Sequence, residues 1–133
     1  MPNGPLTKDQ LVVVLHELAD LLNRDGVKAR MYIVGGAAMV LQYSARDMTR
    51  DVDAQYYPKV EINRAAAEIA KKYGLPSDWL NDKAAMFVSP VTDDNNSQMF
   101  LSTGTVTIET ASAEVLLAMK IGASRQRIDN FVY

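Results

Sequence analysis

The stretch that decides the fold is Tyr32–Pro58, YIVGGAAMVLQYSARDMTRDVDAQYYP. It opens inside Arg30–Val34 (RMYIV), a short apolar, β-rich run that stops at Gly35-Gly36 and reads as a buried strand. Ala37–Gln42 then reads as the start of a helix. Asp51–Tyr57 (DVDAQYY) alternates, with Val52, Ala54 and Tyr56 on one face and Asp51, Asp53 and Gln55 on the other, before Pro58 ends it. Strand, Gly-Gly turn, helix and strand therefore follow in close succession.

Outward from this stretch the pattern stays mixed. Met1–Leu6, with Pro2, Gly4 and Pro5, reads as a mobile start. Thr7 and Gln10 form a Thr-x-x-Gln capping box, and Leu11, Val14, Leu15, Leu18, Leu21 and Leu22 recur at helical spacing until Asp25-Gly26. His16 reads as a surface or half-buried residue of that helix. Glu61–Tyr73 carries Ile62, Ala65, Ala66, Ile69, Ala70 and Tyr73 along one helical face and is stopped by Gly74 and Pro76. Ser77 predicts a short capped helical turn through Trp79 and Leu80. Ala84–Val88 reads as a strand, followed by a polar loop at Asp93–Asn96. Gln98–Leu101 and Thr105–Glu109 predict a hairpin around Ser102-Thr103-Gly104, and Ser112 caps a last helix, Ala113–Arg125. The order predicts an α/β (α+β) fold, a mixed sheet flanked by helices, in one domain spanning 1–133.

Composition narrows the chemistry. The chain has 133 residues, 48% of them hydrophobic and 23% charged, ample for one core without a metal or disulfide staple. With no cysteine and one histidine, thiol nucleophiles, Cys-based metal sites and multi-histidine sites are excluded within one chain. A net charge of −2 argues against broad electrostatic binding to nucleic acid, leaving only local basic patches. No apolar run approaches the roughly 20 residues of a membrane span and no signal-peptide pattern opens the chain, so a cytoplasmic protein is expected. Chemistry here is built from carboxylates, Lys, Arg, hydroxyls and backbone.

Asp51 and Asp53 are the most informative pair. On one strand, residues i and i+2 share a face with Cα atoms about 6.6 Å apart, so their carboxylates can converge on a hard cation such as Mg²⁺. The plainer alternative is that both face solvent and pair with Arg46 or Arg50. Gly35-Gly36 likewise has two readings: a close backbone approach for a phosphate at a helix start, or a tight strand-to-helix turn.

Taken together, Gly-Gly, a fourteen-residue spacer and Asp-x-Asp on the next strand resemble the nucleotidyltransferase superfamily. The resemblance is closest to small bacterial nucleotidyltransferase-like proteins related to the AbiEii and MenT-type toxins of toxin–antitoxin systems. Arg46–Asp53, Pro76–Asp82 (PSDWLND) and Leu116–Lys120 (LLAMK) extend it over most of residues 30 to 125. It implies that Gly35 and Gly36 hold the triphosphate of an NTP and that Asp51 and Asp53 bind Mg²⁺ (or Mn²⁺). Glu109 is the best candidate for a third metal-binding carboxylate, or else a strand-end surface residue. Lys120 matches a lysine that contacts phosphate from the last helix, or else is a solvated helical lysine. Arg46 and Thr49 are second-rank candidates, Arg46 for phosphate and Thr49 for orienting the loop before Asp51.

The activity so implied is transfer of an NMP from an NTP to an RNA or protein acceptor, with a cognate antitoxin and a homo-oligomer as further partners. The alternative is a non-catalytic nucleotide- or protein-binding module on the same fold. Two departures bear on the choice. Gly36 stands where a serine hydroxyl is common, and the end RQRIDNFVY replaces the Arg-Asp-x-x-Asp of a longer helix in related toxins. Ile128 stands near the expected first acid and Asp129 out of register, so against that family the C-terminal end reads as cut short.

Overall fold

A computed structural model of the chain describes residues 4–44, 46–83, 85 and 96–120. The first long helix, α1 (Lys8–Arg24), follows a two-residue strand, β1 (Leu6–Thr7), and starts where the capping box places it. The Thr7 hydroxyl accepts from the Gln10 N–H, and the Thr7 N–H donates to the Gln10 side chain at 3.0 Å. Next come β2 (Ala29–Val34) and the short α2 (Gly35–Ala38), which widens into a π-helical turn, Met39–Tyr43. After β3 (Met48–Thr49), β4 (Val52–Tyr57) and α3 (Lys59–Tyr73) complete the central unit.

The remaining elements are β5 (Leu80–Asn81), β6 (Gln98–Thr103), β7 (Val106–Thr110) and the helical residues 113–120, α4. The Val115 N–H donates to the Ser112 hydroxyl at 3.2 Å, the cap expected there. The predicted helical turn after Ser77 is corrected: Leu80 and Asn81 form a strand. Its cause is the Trp79 peptide, whose carbonyl accepts from the Val52 N–H at 2.6 Å and draws the chain into the sheet. The Trp79 ring is fully buried, its indole N–H donating to the Ala66 carbonyl at 2.9 Å. Of the predicted strand Ala84–Val88 only Ala85 is described. The loop before Asn96, the helix beyond Lys120, and Arg125, Arg127 and Asp129 lie outside the described residues.

Five strands form one mixed sheet in the order β5-β4-β2-β7-β6, and β1 pairs with β3 in a separate two-stranded ladder. β2 runs antiparallel to β4 and parallel to β7, which is the mixed sheet expected from the alternation of elements. Residues paired across a ladder share a face, so the register sorts the side chains. Met31, Ile33, Val52, Ala54, Tyr56, Val106 and Ile108 lie on one face, all buried, with the apolar sides of α1 and α3 packed in the same core. Fully burying such a side chain contributes about 1.5–3 kcal/mol. Asn23 of α1 also ties the β6–β7 turn, accepting from the Thr105 N–H at 3.0 Å and donating to the Thr103 carbonyl at 3.2 Å. The other face carries Tyr32, Asp53, Gln55, Asn81 and Glu109. None of the helices is long and apolar enough to cross a membrane among the described residues.

Candidate functional site

The polar face converges at the corner where β2 ends and β4 begins. Val34 is the ladder partner of Asp53, so Gly35 and Gly36 leave the sheet beside the second aspartate. Gly35 has φ +65° with open space around it, a backbone state that side chains disfavour. Gly36 serves a different purpose. A Cβ there would stand 2.8 Å from Arg46 Nη1 and 2.9 Å from Thr49 Oγ1, so the bare backbone is what lets both side chains close over it.

Thr49 is buried, and its hydroxyl donates to the Asp51 carbonyl at 3.1 Å, fixing the turn that presents Asp51. Arg46 is exposed and makes no ion pair among the described residues. Gly36, Arg46 and Thr49 are thus brought together, with Gly35 and Asp51 attached through the chain. No ion pair joins either aspartate to Arg46 or Arg50 among the described residues.

Asp51 is exposed and immediately precedes β4, while Asp53 is half-buried within it. Asp51 Oδ2 accepts from Asn81 Nδ2 at 3.2 Å, and Asp53 Oδ1 accepts from the Ala85 N–H at 3.1 Å. Gln55, one step along β4, donates to the carbonyl of the same Ala85, so residue 85 is pinned at two points above the strand. A cavity of about 160 Å³ opens beside Asp51, lined by Pro5, Arg50, Pro76, Asp78 and Trp79. Asp82 turns away to an ion pair with Lys59. The Lys59 ammonium holds the Asp82 carboxyl below its usual range, and the carboxylate raises Lys59 in return.

Glu109 is not part of this corner. It is the ladder partner of Tyr32 on the far side of β2, two strand spacings (about 9–10 Å) from β4. Its carboxylate accepts from the Ser97 hydroxyl at 3.1 Å and lies 3.6 Å from Arg30 Nη2. Among the described residues no group of three His, Cys, Asp or Glu stands close enough to hold a metal ion. Lys120 is exposed on α4, and no described hydrogen bond or ion pair joins it to the Gly35–Asp53 corner.

The residue that sequence reasoning missed is Asn81. It lies inside PSDWLND, and its polar amide directly behind the apolar pair Trp79-Leu80 was the available signal. Asp51 and Asp53 offer two carboxylates within three residues, a donor set of the kind and number that Mg²⁺ commonly takes from protein. A scan against protein-family models and searches of curated proteins and of solved structures give no match.

Proposed function

We propose that the chain is a divalent-metal-dependent nucleotidyltransferase that moves an NMP from an NTP to an RNA or protein acceptor. The observation that carries this reading is the meeting of Gly36, Arg46 and Thr49 at the sheet corner that also bears Asp51 and Asp53. The exposed Arg46 guanidinium, supported on Gly36, offers several N–H donors to phosphate oxygens. Asp51 and Asp53 would hold Mg²⁺ or Mn²⁺, which when bound supplies charge stabilisation and alignment at the α-phosphate. In the reaction an acceptor hydroxyl oxygen bonds to the α-phosphorus as the bond to the bridging oxygen breaks. Pyrophosphate leaves, and the hydroxyl proton is released. The resemblance to toxin families makes a cognate antitoxin the partner to seek.

The test is transfer of α-labelled NTP to RNA and to protein acceptors by wild type and Asp53→Asn. Incorporation by wild type and its loss in the variant is the expected result; equal incorporation rejects the site.

A second reading is favoured by one observation: Glu109, the third carboxylate of the catalytic expectation, is engaged by Arg30 and Ser97 instead. A binding module that holds NTP without turnover fits that arrangement. Saturable NTP binding with no transfer to any acceptor selects it over the enzyme.

A further inference from the structure

The geometry points to Asn81 as the positioning residue of the aspartate pair, the group that sets Asp51 against Asp53 for a shared divalent cation. The inference rests on the reading that this pair holds the cation, and it adds a residue that reading did not contain. Asn81 is the β5 ladder partner of Asp53, so its side chain stands on the same face, one strand over. It is only 9% exposed, which obliges its amide to find partners within the protein.

Those partners leave the amide one orientation. Its Oδ1 accepts from the Lys83 N–H at 3.2 Å, and its Nδ2 donates to the Asp78 carbonyl at 3.1 Å and to Asp51 Oδ2 at 3.2 Å. Turning the amide over would set its oxygen against two acceptors and its NH₂ against a donor, losing all three bonds. The group presented to Asp51 is therefore a fixed donor.

Asp51 needs one. It is exposed at the entrance of β4, so its χ1 is otherwise free among staggered wells. With Oδ2 committed to Asn81, Oδ1 makes no hydrogen bond among the described residues and stays available to a ligand.

The residue type matters as much as the position: a neutral amide steadies a carboxylate without cancelling its charge. Asn81 also joins the two sides of the cavity beside Asp51, since Asp78 and Asp51 both line it and both bond the same Nδ2. Supporting groups that orient metal-binding side chains typically contribute about 10–100-fold to metal affinity.

The experiment is a double-mutant cycle on Mn²⁺ affinity, read by calorimetry or by the paramagnetic signal of free Mn²⁺, with thermal melts run on every variant. Asn81→Ala is expected to weaken Mn²⁺ binding about tenfold in the wild-type background and not at all once Asp51→Asn is present. Equal weakening in both backgrounds overturns the inference and leaves Asn81 a fold residue, while wild type that does not bind Mn²⁺ overturns the metal reading beneath it. Should Asn81→Ala fail to fold, Mg²⁺ is titrated into ¹⁵N-labelled wild type and Asp51→Asn. A saturable shift of the Asn81 side-chain amide in the first and none in the second supports the role; no shift in wild type that binds Mg²⁺ refutes it.

Discussion

The two ends of the polar sheet face hold carboxylates in opposite ways. At the β2–β4 corner Asp51 accepts from the Asn81 amide and Asp53 from the Ala85 N–H. Across β2, Glu109 is met by a guanidinium and a hydroxyl. The amide beside Asp51 carries no opposite charge, while Glu109 has an exposed cation 3.6 Å away. A candidate metal ligand such as Asp51 is therefore recognised by its partners as well as by its residue type.

The strongest way to break the comparison is to neutralise one member of the corner. Asp51→Asn is expected to reduce nucleotidyl transfer about 100-fold or more, because a group that helps place a metal at the α-phosphate supplies several kcal/mol to the transition state. Single-turnover transfer measures it. A loss smaller than that of Glu109→Gln would exchange the roles of the two ends.

Gly36→Ala sets a Cβ against Thr49 Oγ1 and Arg46 Nη1; Thr49 is buried and bonded to Asp51, so the exposed guanidinium is the group that moves. NTP affinity is expected to fall about tenfold, the equivalent of one charge-assisted hydrogen bond. Gly35→Ala meets no atom within 4 Å and is instead strained by φ +65°. Its expected effect is a loss of about 1–2 kcal/mol of stability. Denaturant melts and fluorescent-nucleotide titrations on both variants separate the two causes.

Glu109→Gln is the quieter control at the other end. Arg30 is 73% exposed and the ion pair is solvent-screened, so the change is expected to cost under about 1 kcal/mol of stability and to leave transfer within about threefold of wild type. A larger loss of transfer restores Glu109 to the reacting centre.

What was legible in the sequence follows from which signals are local. The Thr7–Gln10 cap, the apolar stripe of α1, the alternation of Asp51–Tyr57 and the Ser112 cap all act within a few residues, and each element appears where these place it. Leu80-Asn81 was misread because the local signal at Ser77 competes with a distant one, the Val52 N–H that captures the Trp79 carbonyl. Glu109 illustrates the same limit within the site. Its membership of the polar face is local alternation, but its distance from Asp53 depends on β7 pairing in parallel with β2, a register no short pattern encodes. The Gly36–Arg46–Thr49 cluster was legible as residues and not as a contact. Asn81 was legible as a polar residue behind Trp79-Leu80, while its place beside Asp53 came only with the β4–β5 ladder.

A slighter change is expected at another carboxylate, Glu17, which joins α1 to α3 on the buried side of the sheet. It accepts from Lys72 and from the Tyr73 hydroxyl, and those bonds hold its carboxyl below the usual range, Lys72 contributing most. A folded-state value lower than the unfolded one means that this stabilisation is complete above the unfolded carboxylate pKa. It is lost as the pH falls through that value toward the lowered one. Glu17→Gln is therefore expected to lower the melting temperature slightly at neutral pH, with the gap to wild type closing on the acid side of the carboxylate range. The pair is partly exposed, so screening keeps the gap to a few degrees. Melts at stepped pH check the sign. A gap that persists in acid would mean that Glu17 acts through packing rather than charge.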